Sequence, residues 1–246
     1  MIIGSKILFF RNLPSTNTHA AGLLKKEKLP EGTIVRAAFQ SAGRGQMGNY
    51  WESEADKNLL ISIILYPSNI DPADQFLISM TMSLGISDFL DRHISGCKIK
   101  WPNDIYVNND KIAGILIENS VMDNRLLYSI AGIGLNINQK EFLSDAPNPV
   151  SLSLLTGCQY DPEVCLGQLS ESIGKWYIKL KSGHRNEIRE NYLSKLYRLN
   201  EWTIFHDEGG TFNGRILSAK DDGTLQIERD HGEIHEYLFR EVGFII

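Results

Sequence analysis

Cysteine is scarce. The 246 residues hold three, Cys97, Cys158 and Cys165, an odd number with no C-x-x-C spacing. That excludes a disulfide framework and a zinc knuckle, and free, partly buried thiols point to a reducing, cytoplasmic setting. Long apolar runs are missing as well: no stretch approaches the ~20 residues a membrane span needs. The opening MIIGSKILFF has one lysine and no small-residue cleavage site, so it reads as a strand rather than a signal peptide. Dense basic runs are absent and the net charge is −5. The electrostatic footprint of a sequence-independent nucleic-acid binder is therefore lacking, and neither nucleic acid nor a membrane is expected as a partner. The mildly basic GHRNEIRENYLSKLYR mixes in acids and reads as a solvated helix face. HGEIH, from His231 to His235, is spaced H-x-E-x-H rather than H-E-x-x-H. Three ligands in a row on a strand rarely close a tetrahedron, so a metal is not expected there.

What remains is an ordinary globular composition, 42% hydrophobic and 22% charged. The length suits one large domain, or one with a small appendage. SKILFFRNLP reads as a strand, and STNTHAAGLLKKEKLPEG as a helix capped at Ser15 or Thr16 and stopped by Pro30 and Gly32. TIVRAAFQ and NLLISIILYP are strands, the second apolar enough to be buried on both faces. DPADQFLISMTMSLGISDFLDRHI has the spacing of an amphipathic helix. CKIKW is a short strand broken by PND. IYVNNDKIAGILIENS forms two strands around the Asn108-Asn109-Asp110 turn, and RLLYSIAGIGLNIN is a further apolar strand. DAPNPVSLSLLTG reads as loop and a short helix, followed by two longer helices in DPEVCLGQLSESIGKWYIKLKSG and RNEIRENYLSKLYR. From about Asn200 short alternating strands with Gly-rich turns predict a small β-barrel of five or so strands. The body is thus α+β, a mixed sheet with helices set against it, rather than a doubly wound alternation. The expected division is 1–198 for the body and 199–246 for the barrel.

Gly43-Arg44-Gly45-Gln46-Met47-Gly48 matches the G-x-G-x-x-G of a dinucleotide-binding turn. A helix must open on those glycines, and NYWESEADKN carries no helical apolar stripe before the chain enters LLISIIL. Without helix amides pyrophosphate has no seat, and the dinucleotide reading fails. The kinase layout of strand, loop and strand fits, but its strand lysine, H-R-D and D-F-G are absent. What is left is a flexible loop with one cation, Arg44, suited to phosphate or carboxylate, and one flat ring, Trp51. Further on, Asn103 and Asp104 present an amide and a carboxylate at a strand break, where Asp104 could take Mg²⁺ or a ligand donor. Lys111 borders apolar surface and calls for an anionic partner, although an exposed turn lysine is the plainer alternative. Gly132 and Gly134 strip one strand face, with Asn136 expected on the same face; a bulge would also account for them.

In order, STN at Ser15–Asn17, GRGQMGNYW at Gly43–Trp51, KWPNDIYVNNDKIAGILIE at Lys100–Glu118 and the closing GIGLNIN resemble the biotin protein ligases over nearly the whole chain. Each motif alone is weak; the combination is specific. The resemblance implies a class II synthetase-like α+β core with a C-terminal SH3-like barrel. It implies that biotin and ATP give biotinoyl-5′-AMP, which a lysine of a biotin carboxyl carrier protein then attacks. It assigns Ser15, Thr16, Asn17, Gln40, Gly43, Arg44, Gly45, Gln46 and Lys111 to biotin, with Gly132 and Gly134 admitting its tail. Trp51, Asn103, Asp104, Lys111 and Asn136 fall to the nucleotide and Asp104 to Mg²⁺, with Arg44 and Lys111 as the catalytic cations. Family members occur as monomers and homodimers. The loop departs from the arginine-rich G-R-G-R-x-G-R form, with Gln46 and Asn49 at the later positions. With KILFF beginning at the sixth residue, a DNA-binding repressor segment is not expected. A lipoate or octanoyl transferase and a non-catalytic biotin sensor are the competing readings; the loop tryptophan disfavours the first, and the intact Arg44 and Lys111 the second.

Overall fold

The apolar strands of the body assemble into one sheet whose order is not that of the chain. The computed structural model describes residues 2–144 and 148–245. β1 (Ile7–Leu13), α1 (Thr16–Leu24), β2 (Ile34–Gln40), β3 (Leu59–Leu65), α2 (Phe76–Leu90), β4 (Cys97–Lys100), β5 (Asp104–Val107), β6 (Asp110–Met122) and β7 (Arg125–Leu135) come first. α3 (Leu152–Thr156), α4 (Pro162–Lys181) and α5 (Arg185–Ser194) follow. The seven strands run in the order β1-β2-β3-β7-β6-β5-β4, with β1 and β2 parallel and the other pairs antiparallel. The sheet is mixed, as the sequence predicts.

Its two faces do different things. Leu59, Ile61, Ile63 and Leu65 of β3 point into the main core with α2 and α4, while Ile64 joins a smaller cluster under α1. β3 is buried along its whole length, as expected. The expectation of an amphipathic second helix is corrected. Of α2, every residue but Asp88 is buried, because the helix is sandwiched between the sheet and the α4–α5 layer. Gly85 makes that possible, since a Cβ there would lie 2.6 Å from Ile173 Cα on α4. The helix also opens at Phe76, after one 3₁₀ turn over Pro72–Asp74, rather than at the Asp-Pro pair.

The C-terminal strands β8 (Trp202–Asp207), β9 (Gly210–Ala219), β10 (Leu225–Arg229), β11 (Ile234–Tyr237) and β12 (Gly243–Phe244) form a second antiparallel sheet, ordered β11-β10-β9-β8-β12. Phe205, Ile216, Leu225 and Ile227 continue the main core, so the two sheets share apolar surface. The Trp101 indole N–H donates to Gly223 O at 2.9 Å, and Phe76 N–H to Asp221 O at 3.2 Å. His231 and Glu233 lie in the turn before β11, and no group of three metal-binding side chains gathers among the described residues. No helix among them is long and apolar enough to cross a membrane. Residues 145–147 of the expected DAPNPV loop lie outside the described residues.

Candidate active site: a trough floored by glycine

The sheet face opposite α2 carries a trough of roughly 190 Å³. Its floor is glycine. Gly114 of β6 pairs with Gly134 of β7, and Leu116 with Gly132. A Cβ on Gly134 would come within 2.6 Å of the Trp51 ring, and one on Gly114 within 2.9 Å. A Cβ on Gly132 would come within 2.9 Å of Asn17 Cγ. These glycines therefore hold the floor open for Trp51 and Asn17, the close approach that strand glycines permit.

One end is polar. Ser15, Thr16 and Asn17 form the buried first turn of α1. The backbone N–H and hydroxyl of Thr16 donate to Gln40 Oε1 at 2.7 and 3.1 Å. The Ser62 hydroxyl lies 2.7 Å from Thr16 Oγ1 and 2.5 Å from Asn17 Oδ1. Asn17 Nδ2 donates to Leu116 O at 3.1 Å and to Glu118 Oε2 at 2.8 Å. Four short polar side chains are thereby locked before any ligand arrives, the preorganisation a selective pocket needs.

The glycine loop arches over the trough. Gly45 N–H donates to Asn49 O at 2.7 Å and Trp51 N–H to Gly43 O at 3.0 Å. Only a three-residue 3₁₀ turn, Gln46–Gly48, stands where a dinucleotide site needs a helix. The Met47 side chain lies outside the described residues. Gly43 does not line the trough. A Cβ there would strike the Trp51 carbonyl, so its task is to let the loop close. Arg44 does line it, but its guanidinium is committed to the two Glu118 carboxylate oxygens at 3.0 and 2.9 Å.

The far end holds the second cation. Lys111 Nζ lies 2.7 Å from Asp104 Oδ1, with both side chains at most a quarter exposed, and 5.7 Å from the Trp51 ring centroid. The anion that the apolar surroundings of Lys111 demand is thus supplied by the chain itself. Asn103 Nδ2 donates to Ile115 O at 2.6 Å, which ends the β5–β6 pairing. Neighbouring Lys100 packs over the Tyr106 and Phe244 rings, and burial lowers its pKa.

Ser15, Thr16, Asn17, Gln40, Arg44, Gly45, Gln46, Trp51, Asn103, Asp104, Lys111, Gly132 and Gly134 all line one trough. Asn136 does not. Its backbone N–H still donates to Ile112 O at 3.0 Å just past the end of β7, but its buried amide donates to Val150 O at 3.0 Å rather than into the trough. Sequence reasoning missed Ser62, Glu118, Gly114 and Tyr50. Gly114 was visible as a glycine in the apolar strand KIAGILIE, and Ser62 as the one hydroxyl in LLISIIL.

Comparison with known proteins agrees with this geometry. The sequence profile of the biotin/lipoate A/B protein ligase family matches residues 9–136. The bifunctional ligase/repressor BirA of Bacillus subtilis is 30% identical over 241 residues, which span 94% of this chain and 72% of that protein. The biotin–[acetyl-CoA-carboxylase] ligase of Paracoccus denitrificans is 30% identical over 85% of this chain and 89% of its own. The biotin protein ligase of Aquifex aeolicus, solved with biotin and ATP, superposes with a TM-score of 0.80 at 26% identity, covering 97% of this chain and 98% of that one. Shared profile, matching fold and glycine-floored trough converge: this chain belongs to the biotin/lipoate A/B protein ligase family.

Proposed function

We propose that the chain is an ATP-dependent biotin–protein ligase working through the trough. The observation that carries the reading is the joining of a preorganised polar end to a lysine end by an apolar, side-chain-free floor. A ligand with a polar ring, an aliphatic tail and a terminal carboxylate has that shape, and biotin is such a ligand. Ser15, Thr16, Asn17 and Gln40 would take its ureido ring, and Gly132 and Gly134 would leave room for its tail. The Trp51 ring would stack on adenine, with Asn103 beside the nucleotide.

The biotin carboxylate oxygen attacks the α-phosphorus of ATP, the bond to pyrophosphate breaks, and biotinoyl-5′-AMP forms. Two anions must meet, so a fixed cation at the junction lowers the barrier. Lys111 would supply it, exchanging Asp104 for substrate oxygens. Arg44 can do the same only by releasing Glu118. The acyl carbon is then attacked by a lysine of a biotin carboxyl carrier protein. Magnesium fits poorly as a resident of the protein. Among the described residues Asp104 is the one carboxylate lining the trough, and it is already paired with Lys111. A hard cation held by one carboxylate arrives with substrate phosphates. We also propose the division into 1–198 and 199–246, and an ATP-using enzyme with unpaired thiols fits the cytoplasm.

The test is pyrophosphate release from MgATP with biotin, lipoate or octanoate as the acid. Release that depends on biotin alone is expected. Release driven by lipoate or octanoate in its place would assign the trough to the lipoate side of the family, and none with any acid would favour a sensor.

A further inference from the structure

A second cleft, of about 160 Å³, lies where the large sheet meets the C-terminal sheet. Gln46, Asn103 and Ile115 line both it and the trough. The reason lies in the sheet. β5 pairs with β6 only as far as Gly114, and Asn103 O then accepts from Ile115 N–H at 2.9 Å. Beyond that point β6 has no strand on this side among the described residues. An open sheet edge therefore stands beside the Lys111 end of the trough.

The chemistry of this cleft is opposite to that of the trough. Among the described residues its lining holds no lysine, arginine or histidine and one carboxylate, Asp222. A phosphate finds no charged partner there. Phe76, Ile117 and Phe239 form the apolar part of a wall whose other members are mostly uncharged polar side chains. Asn119 donates to Gln75 Oε1 at 2.6 Å, while its own Oδ1 is buried without a partner. Asp222 sits exposed at the mouth, on a turn fixed from both sides. Phe76 N–H and the Trp101 indole donate to Asp221 O and Gly223 O, and Arg189 pairs with the Asp221 carboxylate. A partly apolar sleeve without a cation, with an unpaired acceptor inside and a carboxylate outside, suits a flexible four-carbon stem that ends in an ammonium.

We infer that this cleft is the entry channel for the acceptor lysine of the carrier protein, bringing it to the acyl carbon around the open edge of β6. The inference rests on the ligase reading above. The lysine arrives as its ammonium, guided by Asp222. It loses one proton to water, its nitrogen lone pair forms the amide bond, and the acyl C–O bond breaks with its electrons going to AMP. The remaining surplus proton also leaves to water.

The experiment separates the two half-reactions. Full-length protein forms the adenylate from biotin and MgATP, and the adenylate is then offered either a purified carrier domain or hydroxylamine, a nucleophile too small to need the sleeve. Asp222→Lys, on an exposed turn, and Ile117→Trp, inside the sleeve, are expected to leave adenylate formation and hydroxylamine trapping within about twofold while slowing carrier transfer at least about tenfold. Asp222 Oδ1 accepts from Thr224 N–H at 2.8 Å; Asp222→Asn keeps that acceptor and is expected to raise the carrier KM without changing transfer at saturation. Carrier transfer at the unmutated rate in Asp222→Lys and Ile117→Trp would overturn the inference, as would equal losses in both half-reactions of Asp222→Lys. Should Ile117→Trp fold poorly, Asp222→Lys decides alone. No adenylate from the unmutated chain would instead overturn the ligase reading, and the channel with it.

Discussion

Lys111 shows how far one residue can be read before its fold is known. Its apolar neighbours in KIAGILIE announced a lysine in need of an anion, and the structure supplies Asp104 at 2.7 Å. The partner was not legible, because it comes from the end of another strand. The same holds for Arg44, whose link to Glu118 spans 74 positions. Removing a preorganised charge from a reacting centre costs on the order of 10²–10³ in rate. Lys111→Ala should lose about that much adenylate formation in a pyrophosphate-release assay while the protein stays folded; a wild-type rate would remove Lys111 from the chemistry. Gln46 stands where the family's loop carries a second arginine, and it lines both clefts. Gln46→Arg adds a cation near the phosphates and should lengthen the adenylate's release half-life roughly tenfold, the worth of one charge-assisted hydrogen bond. An unchanged half-life in a filter-binding chase would mean the loop does not touch the phosphates.

At the scale of elements, periodicity located nearly every strand and helix, and it failed where packing overrides pattern. Four small hydroxyl residues of α2, Ser79, Thr81, Ser83 and Ser87, are all buried. They give α2 a thin profile, and Gly85 lets it approach α4 closely. Gly85→Ala should force the two helices apart and lower stability by about 1–3 kcal/mol, seen as a smaller denaturant midpoint at unchanged slope. An unshifted midpoint would show that the contact can relax freely. Asn136 shows the converse: alternation along β7 predicts its face, yet just past the end of β7 its amide is drawn to Val150 O. Strand ends depend on the partner strand, and single-sequence periodicity cannot see it.

Across the whole molecule, the order of the sheet was the least legible feature. No local pattern sets β7 beside β3, yet that pairing aligns Gly134 with Leu60 and Gly132 with Ser62 and so builds the trough. A second long-range tie carries a pH signature. Glu31 accepts from Tyr177 Oη, Lys181 Nζ and Tyr66 N–H, joining the turn before β2 to α4. Burial pushes its pKa up, but those hydrogen bonds outweigh it and hold the pKa below the usual 4.5. A depressed carboxylate stabilises the fold fully above its unfolded pKa, and that share is lost as pH falls through its folded value. Glu31→Gln should therefore melt earlier than the parent at neutral pH, with the difference shrinking below the usual 4.5. A gap in melting temperature that stays constant with pH would contradict this.

The trough activates biotin so that a protein lysine can take it. Intact-mass analysis of a biotin carboxyl carrier domain incubated with this protein, biotin and MgATP measures that transfer outright. The carrier should gain one biotinyl group on one lysine, a gain absent without ATP and strongly reduced with Lys111→Ala. A carrier whose mass never changes, while the folded protein binds biotin and ATP, would contradict it.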